Sequence, residues 1–328
     1  MGARTTDDLV SDVRARVAAP ASAYDGVVPD SALLELANEE LRGEVASLIM
    51  STRSQYWVRT YEVSITIGLA EYRLPDRALG QTLHDVTILD ANGQREYNAV
   101  FVPTSERYRW TGAQWAPGRS PFAFALENGK LVLIPVPSGS GSYTLRMRYY
   151  ERPSQLVATS SAAAIVEATS TTQIELAADP PADLQANGSL ADIVRGDGMF
   201  EATFRDRIID TYGAPTLDVD ASTPVVVADI ATATPGGRTD YVCLAGQSVY
   251  PPVPETVYPY LVAVTARAYA EAVGDARGMQ IADMMATRKR EAALGQMLPR
   301  VDGEPGRVIV RNTVLRGGRA GVWGGGWR

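Results

Sequence analysis

Cysteine, histidine and lysine are nearly missing from this 328-residue chain, which has Cys243, His84, and Lys130 with Lys289 as its whole complement of the three. A single cysteine rules out an intrachain disulfide, and its setting in the apolar run at 241–244 predicts a buried structural thiol rather than a nucleophile. One cysteine with one histidine cannot assemble a zinc-binding set. A Ser-His-Asp triad would have to run through His84, which lies in the apolar, strand-like stretch 83–89 and reads as a structural residue. No run of about 18 apolar residues is present, so no membrane-spanning helix is predicted. The opening MGARTTDDLV carries two acids and no apolar core and is not read as a secretory signal. Gly196-Asp197-Gly198 and Gly236-Gly237 are turn glycines outside any strand–loop–helix phosphate pattern. The chain is therefore read as not an enzyme, with no catalytic residue, no metal and no cofactor.

What is present is arginine, acid and patterned apolar sequence. The formal net charge is −7, but residues 306–328 hold five arginines and no acid, which leaves −12 on the remainder. An acidic body with a basic extension points to an interaction arm. It also argues against non-specific DNA binding over the body, since phosphate contacts need Lys or Arg. The acidic clusters Asp7-Asp8, Glu39-Glu40 and Asp218-Val219-Asp220 read as solvated helix ends and turns.

Periodicity predicts an α+β chain. A first helix is expected over 6–19, favoured by Asp7 and Asp8 at its N-terminus and ended by Pro20. A second, capped by Asp30, is expected over 31–59, about 43 Å long, with Leu34, Ala37, Leu41, Val45 and Leu48 on one face. From Tyr61 the period becomes two, with Tyr61, Val63, Ile65 and Ile67 on the inner side. Further strands at 72–75, 86–89, 122–126, 131–134 and 143–150, with turns at Asn92-Gly93 and Asn128-Gly129, make an antiparallel β domain over 61–151. Tyr108, Trp110 and Trp115 read as packed aromatics of a hairpin loop rather than a sugar platform.

Residues 152–253 read as an inserted all-β domain, a small barrel or a sandwich. Its candidate strands are 164–168, 173–176, 192–194, 200–204, 207–211, 216–219, 225–227 and 241–244. Helices return after Pro254, break at 274–278 and resume over 279–296. An alanine-rich stripe there predicts close packing against the N-terminal helices, so 1–60 and 254–299 form one helical bundle. Residues 300–328 are an extended arm. Its Arg307, Arg311, Arg316, Arg319, Trp323 and Trp327 are of the types that dominate binding hot spots. Its glycines postpone ordering until it docks, and the 23 residues of 306–328 reach about 75 Å when extended. Direct DNA binding by such an Arg-aromatic segment is a second reading.

The helix at 33–41, the aromatic exit Tyr56-Trp57, Tyr72-Arg73-Leu74-Pro75, the run 131–137 ending Ile134-Pro135-Val136-Pro137, and Arg146 to Pro153 together resemble the head-to-tail adaptor proteins of tailed phages, the class that includes tail tubular protein A. Ala191-Asp192-Ile193-Val194-Arg195 and the stretch 240–246 are similar to β insertions of larger members. The resemblance implies a virion protein of the head–tail neck, assembled in the host cytoplasm. It implies a homo-oligomeric ring of about twelve copies under the portal, with β domains toward the next tail (nozzle) protein. The C-terminal arm would lie on the portal protein and genomic DNA would pass through the lumen without specific binding. The alternative is another phage tail, baseplate or receptor-binding β protein.

Overall fold

The computed structural model describes residues 4–17, 28–52, 55–90, 96–110, 122–138, 142–196, 205–222, 225, 230 and 239–297. The chain begins with α1, Thr6–Arg16. Thr5 caps it: its side chain accepts from the Asp8 backbone N–H while the Asp8 carboxylate accepts from the Thr5 N–H at 2.9 Å, a reciprocal capping box. The helix stops before Pro20, because Val17 is already extended. The next helix is shorter than its apolar periodicity suggests. α2 covers Asp30–Glu40, a π-helical turn covers Leu41–Val45 with Gly43 at its centre, and α3 covers Ala46–Thr52. Asp30 is not the cap; Pro29 holds that position and Asp30 instead accepts from Arg14 at 2.5 Å. The aromatic exit turns at once into strand β1, Val58–Ser64, so Val58 and Arg59 belong to the sheet, where pairing with a neighbouring strand satisfies their backbone.

Seven strands form the first sheet: β1, β2 (Glu71–Arg73), β3 (Ala78–Leu89), β4 (Glu96–Phe101), β5 (Phe122–Glu127), β6 (Lys130–Ile134) and β7 (Thr144–Glu151), in the order β1-β7-β3-β4-β5-β6-β2. The sheet is not wholly antiparallel, since β4 and β5 run parallel. A parallel neighbour needs a long crossover, and residues 102–121 supply one, including a 3-10 helix at Thr104–Arg109. Trp110 therefore ends a crossover turn rather than a hairpin and half-buries against Val102, Ala123, Ala125 and Ile134; Trp115 lies outside the described residues. The Asn128-Gly129 turn is as expected, both residues having positive φ (50° and 74°) between paired β5 and β6. The Asn92-Gly93 turn lies outside the described residues, but the strands it links pair antiparallel.

The two edge strands, β1 and β2, are joined by residues 65–70, which continue the pairing: Ile65 N–H donates to Tyr143 O at 2.8 Å and Leu133 N–H to Ala70 O at 2.8 Å. The sheet therefore curls into a half-barrel around Val86, Ile88, Phe122, Leu133, Leu145 and Met147. The period-two reading of β1 holds for Val63 and Ile65, which border this core, but Tyr61 (41% exposed) and Ile67 (60%) face outward. Ile67 sits in the turn between the edge strands, where alternation no longer applies.

The later β segment is a barrel, not a sandwich. Strands β9 (Ala163–Ser170), β10 (Gln173–Leu176), β11 (Leu190–Val194), β12 (Arg207–Gly213), β13 (Thr216–Val219) and β14 (Tyr241–Leu244) close in the order β10-β13-β12-β11-β14-β9 around Ile165, Ile174, Ile193, Ile209, Leu217 and Val242. The expected strand at 200–204 lies outside the described residues, as does most of 225–227. At the barrel's base β8 (Gln155–Leu156) and β15 (Gln247–Ser248) pair in parallel.

α4, Tyr258–Val273, follows with Pro259 in its first turn, and Gly274, in the left-handed region at φ 78°, ends it. α5 covers Ala276–Met297. One core joins Leu9 and Val13 of α1, Leu33, Leu41 and Ile49, Trp57, Leu261, Val264 and Tyr269 of α4, and Ala286 and Ala293 of α5. Small side chains on α5 let it approach α4 closely.

The helices are also pinned to the strand pair. Buried Asn38 donates through Nδ2 to Leu156 O at 3.0 Å and accepts through Oδ1 from Leu156 N–H at 2.6 Å. Thr6 donates its hydroxyl to Val157 O at 2.7 Å and its N–H to Val249 O at 2.8 Å. Asn38→Ala leaves both backbone groups of Leu156 without partners in a dry site. It is expected to lower stability by about 2–4 kcal/mol, read as a drop in thermal midpoint; an unchanged midpoint contradicts the assignment.

Candidate functional site

An acid inside an apolar barrel strand is the most demanding feature of the chain. Asp192 lies on β11 between Ala191 and Ile193 and has no exposed surface. Its carboxylate is bracketed by Arg77, from the β2–β3 connection, which donates from its two terminal nitrogens at 2.8 and 2.7 Å. Arg205, just before β12, donates to it at 2.9 Å, and the backbone N–H groups of Asp206 and Gly246 donate at 3.0 and 2.9 Å. Arg77 also meets Asp206 at 2.7 Å. Glu151, the last residue of β7, takes Arg59 at 3.0 Å and lies 3.7 Å from Arg77 and 3.8 Å from Arg205. Three arginines and three carboxylates thus lock the half-barrel to the barrel. Burial alone would raise the Asp192 carboxyl, but the charge of Arg205 and the bonds from Arg77 and Asp206 hold it below the ordinary carboxylate value.

A second charge cluster ties the helices. Arg267 of α4 contacts Glu44 at 2.7 Å, and Glu40 and Asp283 at 3.6 Å each. Tyr260 donates its hydroxyl to Glu44 at 2.8 Å. Burial pushes the Glu40 carboxyl up against the pull of Arg267. Burial acts on Glu44 in the same sense, but the bonds from Arg267 and Tyr260 bring it below its usual value. Glu44, Tyr260, Arg267 and Asp283 border a polar cleft of about 350 Å³ that Ser47, Thr287 and Arg290 also line.

The residues singled out from the sequence are placed as follows. The arm residues Arg307, Arg311, Arg316, Arg319, Trp323 and Trp327 lie outside the described residues. Cys243 is fully buried on β14, and burial pushes its thiol up to about 12. His84 sits on β3 with Nδ1 2.7 Å from Asp85 and its ring edge-on to Tyr150. Asp7-Asp8 open α1, Glu39-Glu40 close α2, and Asp218-Val219 close β13, with Asp220 bonded to Ser222. Among the described residues no group of three or more His, Cys, Asp or Glu side chains could hold a metal ion. No helix among them is long and apolar enough to cross a membrane. The Asp192 cluster escaped sequence reasoning because Arg77 lies 115 residues from Asp192; the one local signal was a carboxylate amid Ala191, Ile193 and Val194.

With this architecture in view, comparison with family models matches residues 4–169 to SU10 adaptor protein. That span takes in α1 to α3 and the whole seven-stranded half-barrel, and ends within β9. No curated protein matches the chain. The match covers half of the sequence, and the chain belongs to the SU10 adaptor protein family. It is a phage structural adaptor, of a family of virion components.

Two outcomes follow from the buried groups. Asp192→Asn removes the negative centre from two arginines and should cost about 3–5 kcal/mol, seen as an early urea transition. Because the folded carboxyl titrates below its unfolded value, its contribution is present above an unfolded value of about 3.9. It is lost as pH falls through the lower, folded one. The wild type should therefore lose this increment in acid below that range, and the variant should show no such loss. Cys243 in the native chain should resist a thiol reagent at neutral pH and react once denatured; rapid native labelling contradicts its burial.

Proposed function

We propose that this chain is a head-to-tail adaptor: copies form a ring under the portal, join capsid to tail and let the genome pass. Family membership over residues 4–169 is the observation that carries this reading, and the charge distribution supports it. A body at −12 offers DNA no row of cations, so phosphate slides past rather than sticking. The +5 segment at 306–328, with Trp323 and Trp327, is a strap for the portal protein above. In this reading the helices of 1–60 and 254–299 form the bundle that lines up around the ring. The half-barrel of 61–151 and the barrel of 152–253 project toward the next tail protein, and 300–328 is the arm. The locked Asp192 junction suits a part that must transmit load between neighbours without its two β units hinging.

Removal of residues 306–328 tests the arm. As an arm that docks outside the fold, its loss should leave the thermal midpoint of the full chain unchanged. The truncated chain should also fail to co-sediment with portal rings. Normal attachment by the truncated chain would contradict the assignment.

A further inference from the structure

The outer faces of α2 and α5 carry opposite charge. α5 runs 22 residues, yet it buries Ala282, Ala286, Ala293 and Met297 along a single side. On the opposite side Arg277, Met284 and Arg288 recur at helical spacing. All three are exposed, Met284 at 57%, and Ala292 and Gly295 extend the stripe with small side chains. Residues 30–45, from α2 through the π-helical turn, contain five acids against the single base Arg42, while α5 contains four bases against two acids. α2 turns Glu35 and Glu39 outward, and Gly43 beyond them has nothing within 4 Å of where a Cβ would stand.

Three acids of this segment are matched within the chain: Asp30 by Arg14, and Glu40 and Glu44 by Arg267. Glu35, Glu39, Arg277 and Arg288 have no ion pair or hydrogen bond among the described residues. Both helices pack on α4, and these faces are exposed among the described residues.

Resting on the ring reading above, we propose that these faces are the two sides of one copy-to-copy contact. Glu35 and Glu39 of one copy oppose Arg277 and Arg288 of the next, and Met284 lies on the small-residue surface near Ala32 and Gly43. A contact between two different faces of the same chain is heterologous, repeats from copy to copy, and closes into a ring when the rotation allows. Either face against its own twin would bring like charges together, which disfavours a two-fold dimer.

The test uses the full chain in assembled particles. Cys243 is buried, so cysteines introduced by E39C and R288C are the reactive thiols. A bismaleimide should convert the double variant into a ladder of covalent oligomers up to the ring, while either single variant gives none. In parallel, R277E with R288E should weaken incorporation roughly tenfold or more, as expected for like charges across a contact. Adding E35R with E39R should restore it. Rings visible in the neck without a ladder, and with R277E/R288E incorporated normally, overturn this contact while leaving the ring reading intact. Particles whose neck holds no ring of this chain overturn the ring reading and this contact together.

Discussion

A carboxylate that water cannot reach must be matched by positive charge, and the arrangement of this molecule depends on how Asp192 meets that constraint. Its five hydrogen bonds come from three separate parts of the chain: the β2–β3 connection, the segment entering β12, and the turn before β15. Removing any one of the donors leaves charge in a dry space, which costs more than the pair contributes when complete. The cluster therefore acts less as a source of stability than as a selector of one relative placement of half-barrel and barrel. Glu151 and Arg59 extend that selection to β1 and β7, at the exit of the N-terminal helices.

The helices divide their charge in a related way, with some carboxylates matched within the chain and others not. Arg267 gathers carboxylates from α2, the π-helical turn and α5, while Glu35, Glu39, Arg277 and Arg288 stay on the outside. An adaptor that works by contact with neighbours needs this division. Interior ion pairs fix the shape of each copy, and unmatched surface charge supplies orientation and partner choice.

Local pattern made some of this legible and left the rest hidden. The strands at Gln173–Leu176 and Thr216–Val219, the Asn128-Gly129 turn and the break at Gly274 follow from alternation, turn chemistry and the left-handed preference of glycine. The length of the second helix did not, because the apolar spacing carries on through Trp57 and Val58, although Trp57 closes the core from a turn, its indole donating to Pro252 O at 3.1 Å. The parallel β4–β5 pair was hidden because a sequence announces strands but not the direction in which distant ones meet. The barrel became distinguishable from a sandwich only through the pairing of β9 with both β10 and β14. The Asp192 junction was hidden for the same reason: Arg77 and Asp192 are neighbours only after folding.

The proposed function requires copies of this chain to stand side by side between capsid and tail. A cryo-EM map of the assembled neck tests that most directly. It should show a closed ring of this chain directly beneath the portal, with helices at the subunit boundaries and residues 306–328 continuous with density on the portal. Density for this chain at the distal tip of the tail, as trimers or fibres with no contact to the portal, would contradict it.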